Sequence, residues 1–331
     1  MFFTVTCNPA LDWMMRLTSF KEGATNRSVF DELSYGGKGV NVSTMLHRLG
    51  LETRASGFIA GTTGSALAEG VEAAGVPCDF VRLPAGQTRI NVKMKRGEIQ
   101  DALEETEING RGPEVGGAAV AQLRERVAAL GEGDWLVLSG SLAPGCEAGL
   151  YTELARVAAE RGARCVVDTT GAALMAALEA RPFLIKPNNH ELAELAGCDA
   201  RDEAAVIGAA RELAARGARY VLVSCGGDGA LLVDADGLVA RGSAPSGVLV
   251  NSVGAGDSMV AGFLAGLAGA VLPGCEACCP GEGDLSYALR LGLAAGSATA
   301  FSSSLATAEQ VADLLSATSV EQATERSAVH L

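Results

Sequence analysis

The sequence predicts an α/β fold: a mainly parallel central sheet covered by helices, with a small β-sheet lid. Three observations predict it. From Gly116 onward, strand-like runs that are apolar throughout, such as DWLVLSGS, RCVVDTT and RYVLVSCG, alternate with helical segments. Strands of that kind belong to sheets buried on both faces. The stretch QTRINVKMKRGEIQD instead alternates polar and apolar residues, with a glycine turn at Gly97, which is the signature of a hairpin. Polar clusters also recur where the strands end, at Asn8 to Asp12, Ser139 to Ser141, Asp168 to Thr170, Lys186 to Asn188, Ser224 to Gly229 and Gly254 to Asp257. Open parallel sheets bind ligands beyond the carboxyl ends of their strands.

In chain order, MFFTVTCN is a strand ending at the Asn8-Pro9 turn, and Asp12 falls just past it. SYGGKGVNVSTMLHRLG passes from a Gly-rich turn into an amphipathic helix stopped by Gly50. TRASGFIAG is a strand and GSALAEGVEAAG a helix. Lid strands are expected near residues 12–16 and 87–109. Helices AAVAQLRERVAALG, GLYTELARVAAERG, AALMAALEA and HELAELAG, with another near 204–216, interleave with DWLVLSGS, RCVVDTT, PFLIKPN and RYVLVSCG. DGALLVDADGLVARGS reads as an antiparallel hairpin at one edge. GVLVNSV reads as a β-like run leading into Gly254-Ala255-Gly256 and an apolar helix. Residues 272–284, LPGCEACCPGEGD, read as a loop between the last two long helices.

With 331 residues, 48% of them hydrophobic, the chain can bury a large core. Its net charge of -13, without a basic patch, argues against a nucleic-acid partner. An anionic substrate must then be held by a few placed cations. Several of the nine cysteines lie inside apolar runs, as reduced buried thiols of a cytoplasmic protein would. Cys275, Cys278 and Cys279 lack a second cysteine pair or nearby histidine to complete a metal site. The N-terminus shows no basic region before an apolar core, against a signal peptide. Residues 258–272 are apolar but too short for a membrane span, so Gly262 and Gly266 imply close helix packing instead.

The Gly254–Gly256 turn carries the sharpest chemical signal. A glycine turn opening a helix leaves backbone N–H groups without partners at the positive end of the dipole, a site for an anion. Asp257 therefore either caps this helix or acts as a general base beside a bound phosphate. A GxxxxGK[ST] phosphate loop is absent, and SCGGDG lacks the GxGxxG spacing of a dinucleotide site. Arg89, Asn91 and Lys93 alternate and so share one strand face, either solvated or gripping a phosphate.

GGKGVNVS at 36–43 and NSVGAGDSMVAGF at 251–263 resemble the two signatures of the ribokinase-like (PfkB) carbohydrate kinases. KPNNHEL at 186–192 is similar to that family's NxxE element. TRINVK, TEING and SGSLAPG narrow the resemblance to the branch acting on sugar phosphates. Many relatives have Asp-Thr where this chain has Asn251-Ser252, and the Cys-rich 272–284 loop is unusual.

The resemblance spans nearly the whole chain. It implies one ribokinase-like kinase domain over residues 1–331, a three-layer sandwich with a β lid. It implies an ATP- and Mg²⁺-dependent kinase for a ketohexose phosphate. Fructose 1-phosphate is expected first, with tagatose 6-phosphate or fructose 6-phosphate as alternatives and a silent sugar-phosphate sensor as a further one. Asp257 would be the base, with Gly254, Ala255 and Gly256 as the anion hole. Asp12, Gly36, Gly37, Lys38, Asn41, Arg89 and Ser139 would face the sugar phosphate, with Lys93 and Arg27 weaker candidates. Lys186, Asn188, Ser224, Gly226, Gly227 and Gly229 would face ATP, and Glu191 would serve Mg²⁺. No membrane is implied, and the lid's exposed strand edges invite pairing with a second subunit.

Overall fold

The computed structural model describes residues 1–96, 104–275 and 283–323. Its strands form two sheets. The large sheet has the order β14-β13-β12-β11-β10-β9-β8-β1-β4-β5. These are β1 (Phe2–Thr6), β4 (Thr53–Ala60), β5 (Cys78–Leu83), β8 (Trp135–Ser139), β9 (Arg164–Asp168), β10 (Leu184–Ile185), β11 (Tyr220–Ser224), β12 (Ala230–Asp234), β13 (Gly237–Ser243) and β14 (Ser319–Gln322). From β5 across to β11 every pairing is parallel, and β12 to β14 add antiparallel strands.

The helices are α1 (Lys38–Arg48), α2 (Gly61–Ala73), α3 (Gly117–Val127), α4 (Leu150–Glu160), α5 (Gly171–Ala177), α6 (Asn189–Ala196), α7 (Glu203–Ala215), α8 (Ala255–Leu267), α9 (Leu285–Ala300) and α10 (Ala308–Leu315). Alternate residues of each strand feed different cores, as a period of two requires. Phe3, Val5, Leu136, Leu138 and Val167 pack with α3, α4, α5 and α7. Phe2, Val137, Val166 and Leu222 pack on the other face with α1, α8 and α9. The result is three layers. Gly262 and Gly266 let α8 and α9 touch: a Cβ at Gly262 would lie 2.5 Å from Leu291 O, and one at Gly266 2.5 Å from Ala288 Cα.

The small sheet has the order β3-β2-β6-β7, from β2 (Ala10–Leu17), β3 (Phe30–Gly36), β6 (Arg89–Arg96) and β7 (Glu104–Asn109). Its register puts Asp12, Ser34, Asn91 and Asn109 in one row and Met14, Glu32, Lys93 and Glu107 in the matching row two residues on, so these share a polar face. The opposite face carries Trp13, Tyr35, Ile90 and Ile108, all exposed.

Asp12 lies past the end of β1 and inside β2. Three expectations are corrected. The chain before Gly36 is not only a turn, since β3 pairs with β2 along seven residues. GVLVNSV forms no strand. Residues 244–252 run irregularly, with Val248, Leu249 and Val250 exposed, because the free edge of β13 is already occupied by β14. For the same reason the β12–β13 hairpin lies one strand inside the edge. The Gly97 turn and most of the Cys-rich loop lie outside the described residues. Among the described residues no helix is long and apolar enough to cross a membrane.

Candidate active site

The strand ends of the large sheet bring the polar clusters to one edge, and α8 begins there. Gly254 is its N-cap with φ 79°, a left-handed conformation that glycine adopts without strain, and no side chain caps the helix. A Cβ at Gly254 would also lie 2.7 Å from the Leu305 side chain. Ala255 N–H reaches Ser252 O at 3.3 Å. The N–H groups of Gly256 and Asp257 have no backbone acceptor among the described residues. The helix start thus leaves two backbone donors uncommitted. Asp257, in the first turn, is 6% exposed, and its Oδ2 accepts a 2.8 Å hydrogen bond from Asn41 Nδ2 on α1. Burial, and then the charge of Asp168, push its carboxyl up to about 6, while Asn41, Lys38 and Lys186 pull the other way.

On the lid side, Asp12 Oδ1 accepts from Asn91 Nδ2 at 2.8 Å. Burial raises the Asp12 pKa against the pull of Asn91, Lys93 and Arg89. Gly36 is required here, because a Cβ would collide with the Asp12 carboxylate. Gly37, with φ 129°, caps α1 and brings Lys38 and Asn41 to the edge. Arg89 donates through Nε to Asn8 O at 3.0 Å and forms no ion pair among the described residues. Lys93, by contrast, is neutralised by Glu107 at 3.2 Å. Arg27 is exposed on the loop before β3. Ser139 is fully buried, and its hydroxyl has no hydrogen-bond partner among the described residues.

The opposite wall is a cleft of about 1320 Å³ lined by Asn188, Ser224, Gly226, Gly227, Gly256 and Phe301, among others. Lys186 lies beside the anion turn: its Nζ is 3.4 Å from where a side chain on Gly256 would begin. Gly229 does not line the cleft. Its φ of 101° and the close approach of Gly242 O explain a glycine there as a strand-packing requirement. Asn188 and Glu191 form a reciprocal capping box on α6, with Glu191 N to Asn188 Oδ1 at 2.7 Å and Asn188 N to Glu191 Oε2 at 2.9 Å.

One Glu191 carboxylate oxygen stays outside the cap, and the described residues hold no cluster of three metal-binding side chains. That fits Mg²⁺ carried on nucleotide phosphates with its own waters better than a protein cage.

Sequence reasoning placed Asp168 in a strand-end cluster but gave it no role; it is 1% exposed at the end of β9 and holds both lysines, Lys38 Nζ at 3.0 Å and Lys186 Nζ at 3.7 Å. It also missed Asn91 as the partner of Asp12, and Phe301 with residues 244–247 as the far wall of the cleft. The strand-end position of Asp168 was the available signal. The far wall carries none, being one aromatic side chain and an irregular stretch of small residues.

The layers and the separate small sheet make this a ribokinase-like fold. The structure of phosphofructokinase-2 from Escherichia coli in complex with substrates and products superimposes with a TM-score of 0.84 at 30% identity, covering 95% of this chain and 98% of that one. A profile described as pfkB family carbohydrate kinase matches residues 7–311, and the chain belongs to that family. It is 41% identical to a 1-phosphofructokinase of Bacillus subtilis over 95% of this chain and 97% of that one. It is 34% identical to a D-tagatose-1-phosphate kinase of Bacillus licheniformis, over 92% and 94%.

Proposed function

We propose that this kinase transfers the γ-phosphoryl group of ATP to a hydroxyl of fructose 1-phosphate, giving fructose 1,6-bisphosphate and ADP. The observation that carries the reading is Asp257: a buried carboxylate, not used as a cap, in the first turn of a helix whose leading N–H groups are uncommitted, and acted on by the charges of Lys38 and Lys186. In this reading Asp257 takes the proton of the attacking hydroxyl as the new O–P bond forms and the bond to the ADP oxygen breaks. The Gly256 and Asp257 amides meet charge developing on the transferred group. Asp12 and Asn41 accept from and donate to the sugar, and Arg89 grips its phosphate. Asn188, Ser224, Gly226 and Gly227 shape the nucleotide cleft. Glu191 would hold hydrated Mg²⁺, which would supply positive charge against the nucleotide phosphates.

A coupled assay over fructose 1-phosphate, tagatose 1-phosphate, tagatose 6-phosphate, fructose 6-phosphate and fructose tests this. Fructose 1-phosphate is expected to give the highest kcat/KM, and faster turnover of unphosphorylated fructose would refute the phosphate pocket. The B. licheniformis relative favours tagatose 1-phosphate as the second reading. That sugar keeps the phosphate position and differs at one hydroxyl.

We place the enzyme in the cytoplasm, where Cys7 and Cys165, free and buried, would stay reduced. The exposed Trp13, Ile90 and Ile108 on the outer lid face support a homodimer through the lid. A monomeric mass by light scattering at assay concentration would remove that part.

A further inference from the structure

Asp168 is a buried carboxylate to which the mechanism above gives no task. Its Oδ1 accepts from Lys38 Nζ at 3.0 Å and faces Lys186 Nζ at 3.7 Å. Its Oδ2 is enclosed with no hydrogen-bond partner among the described residues. The two lysines come from opposite walls. Lys38 opens α1 beside the sugar side, and Lys186 follows β10 against the anion turn. A purely stabilising buried ion pair would be a poor investment unless both oxygens were satisfied, since desolvation offsets the attraction. This carboxylate instead leaves one oxygen bare and gathers two cations on the other.

We propose that Asp168 is a positioning residue for phosphoryl transfer, holding one ammonium group on each side of the gap before Asp257 so that the γ-phosphoryl group meets positive charge throughout its passage. The inference rests on the phosphotransfer reading above. The charge state fits it. Burial opposes the Lys38 charge, but Asp168 and then Asp257 outweigh it and hold its pKa above the ordinary value. The groups acting on Asp257 are Asn41 and Lys38 from α1, Asp168 from β9 and Lys186 after β10, while Glu191 of α6 acts on Lys38. The Asp168 charge is the second cause, after burial, that lifts Asp257.

The test is Asp168→Asn, which keeps the shape and removes the charge. With the lysines no longer held, kcat should fall about 10²-fold, the order expected for an ångström of misplacement. The magnesium complex of adenylyl imidodiphosphate should bind about tenfold more weakly while ADP binding stays within about twofold, because a loss of charge-assisted contacts would fall on the γ-phosphate alone. The acidic limb of the kcat/KM profile should move to lower pH, since the charge lifting Asp257 is gone. Equal weakening of both nucleotides with an unmoved limb, or no change at all, would overturn the proposal. Should Asp168→Asn fail to fold, Lys38→Met, at a half-exposed side chain, gives the opposite sign: the limb should move up and analogue binding should weaken. An unmoved limb there overturns the proposal too. The analogue-to-ADP ratio needs no turnover, so it stands even if an active Asp257→Asn enzyme sinks the general-base reading.

Discussion

Helices α6 and α8 begin alike in one respect: each has an acidic residue in its first turn, Glu191 and Asp257. Local sequence gives both acids one ordinary explanation, since carboxylates favour the positive end of a helix. The structure separates them. Glu191 spends one oxygen on the Asn188 N–H and receives Asn188 in return, so α6 is closed by its own side chains. Asp257 contributes nothing to capping, is buried, and has a pKa pushed up to about 6. A carboxylate that burial makes costly, and that no cap explains, is held there by something other than helix stability.

The strongest way to break this comparison is Asp257→Asn. We expect kcat to fall by roughly 10²–10⁴-fold, the usual worth of a general base. A variant retaining half its activity would put Asp257 back with the helix-end acids. The stability sign also differs between the two. The folded Asp257 pKa is raised above 3.8, so ionising it costs stability, a cost present above about pH 6 and relieved as the pH falls. The Asp257→Asn Tm at pH 7 should therefore match or exceed wild type, and wild-type kcat/KM should show an acidic limb near pH 6.

Both helix starts line the same cleft, so in the proposed reaction a phosphate already on the sugar needs a cation from elsewhere. Arg89 on the lid is the cation we propose for it, with no ion pair among the described residues and one Nε bond to Asn8 O. Arg89→Ala should lower kcat/KM by roughly 10–200-fold, mostly through KM, given about 1.5–3 kcal/mol for a charge-assisted bond. Wild-type kinetics in this variant would mean that a helix terminus seats the sugar phosphate as well.

The two sheets differ in how far the sequence reveals them. Strands β1, β8, β9 and β11 are nearly all buried, and their continuous apolar runs are legible without knowing their partners. Lid strand β6 is legible from its alternation. β3, FDELSYG, is not: it is mostly exposed, and it is a strand because β2 is beside it. GVLVNSV fails for the converse reason, having strand composition with no edge left to join. Within the site, Asp257, Lys38, Arg89 and Lys186 could be named from motifs, because glycine turns and strand ends are local features. The tie between Lys38 and Asp168 spans 130 positions and is visible only once β9 lies in the sheet.

Glu191 offers the finest test, because its two roles can be pulled apart by choice of substituent. Glutamine at the third helical position can still reach back to the N-cap N–H, as glutamate does in a capping box, but it lacks the charge that a hydrated cation would meet. Glu191→Gln should therefore keep Tm while raising the Mg²⁺ concentration for half-maximal rate about tenfold, the lower end of what outer-sphere partners contribute. Glu191→Ala loses the cap as well and should be destabilised by about 0.5–2 kcal/mol in urea unfolding. If Glu191→Gln shows wild-type Mg²⁺ dependence while Glu191→Ala loses only stability, Glu191 is a cap and nothing more, and the metal is held by the nucleotide alone. The contrast between the two helix starts would then be complete, with one acid serving the fold and the other the reaction.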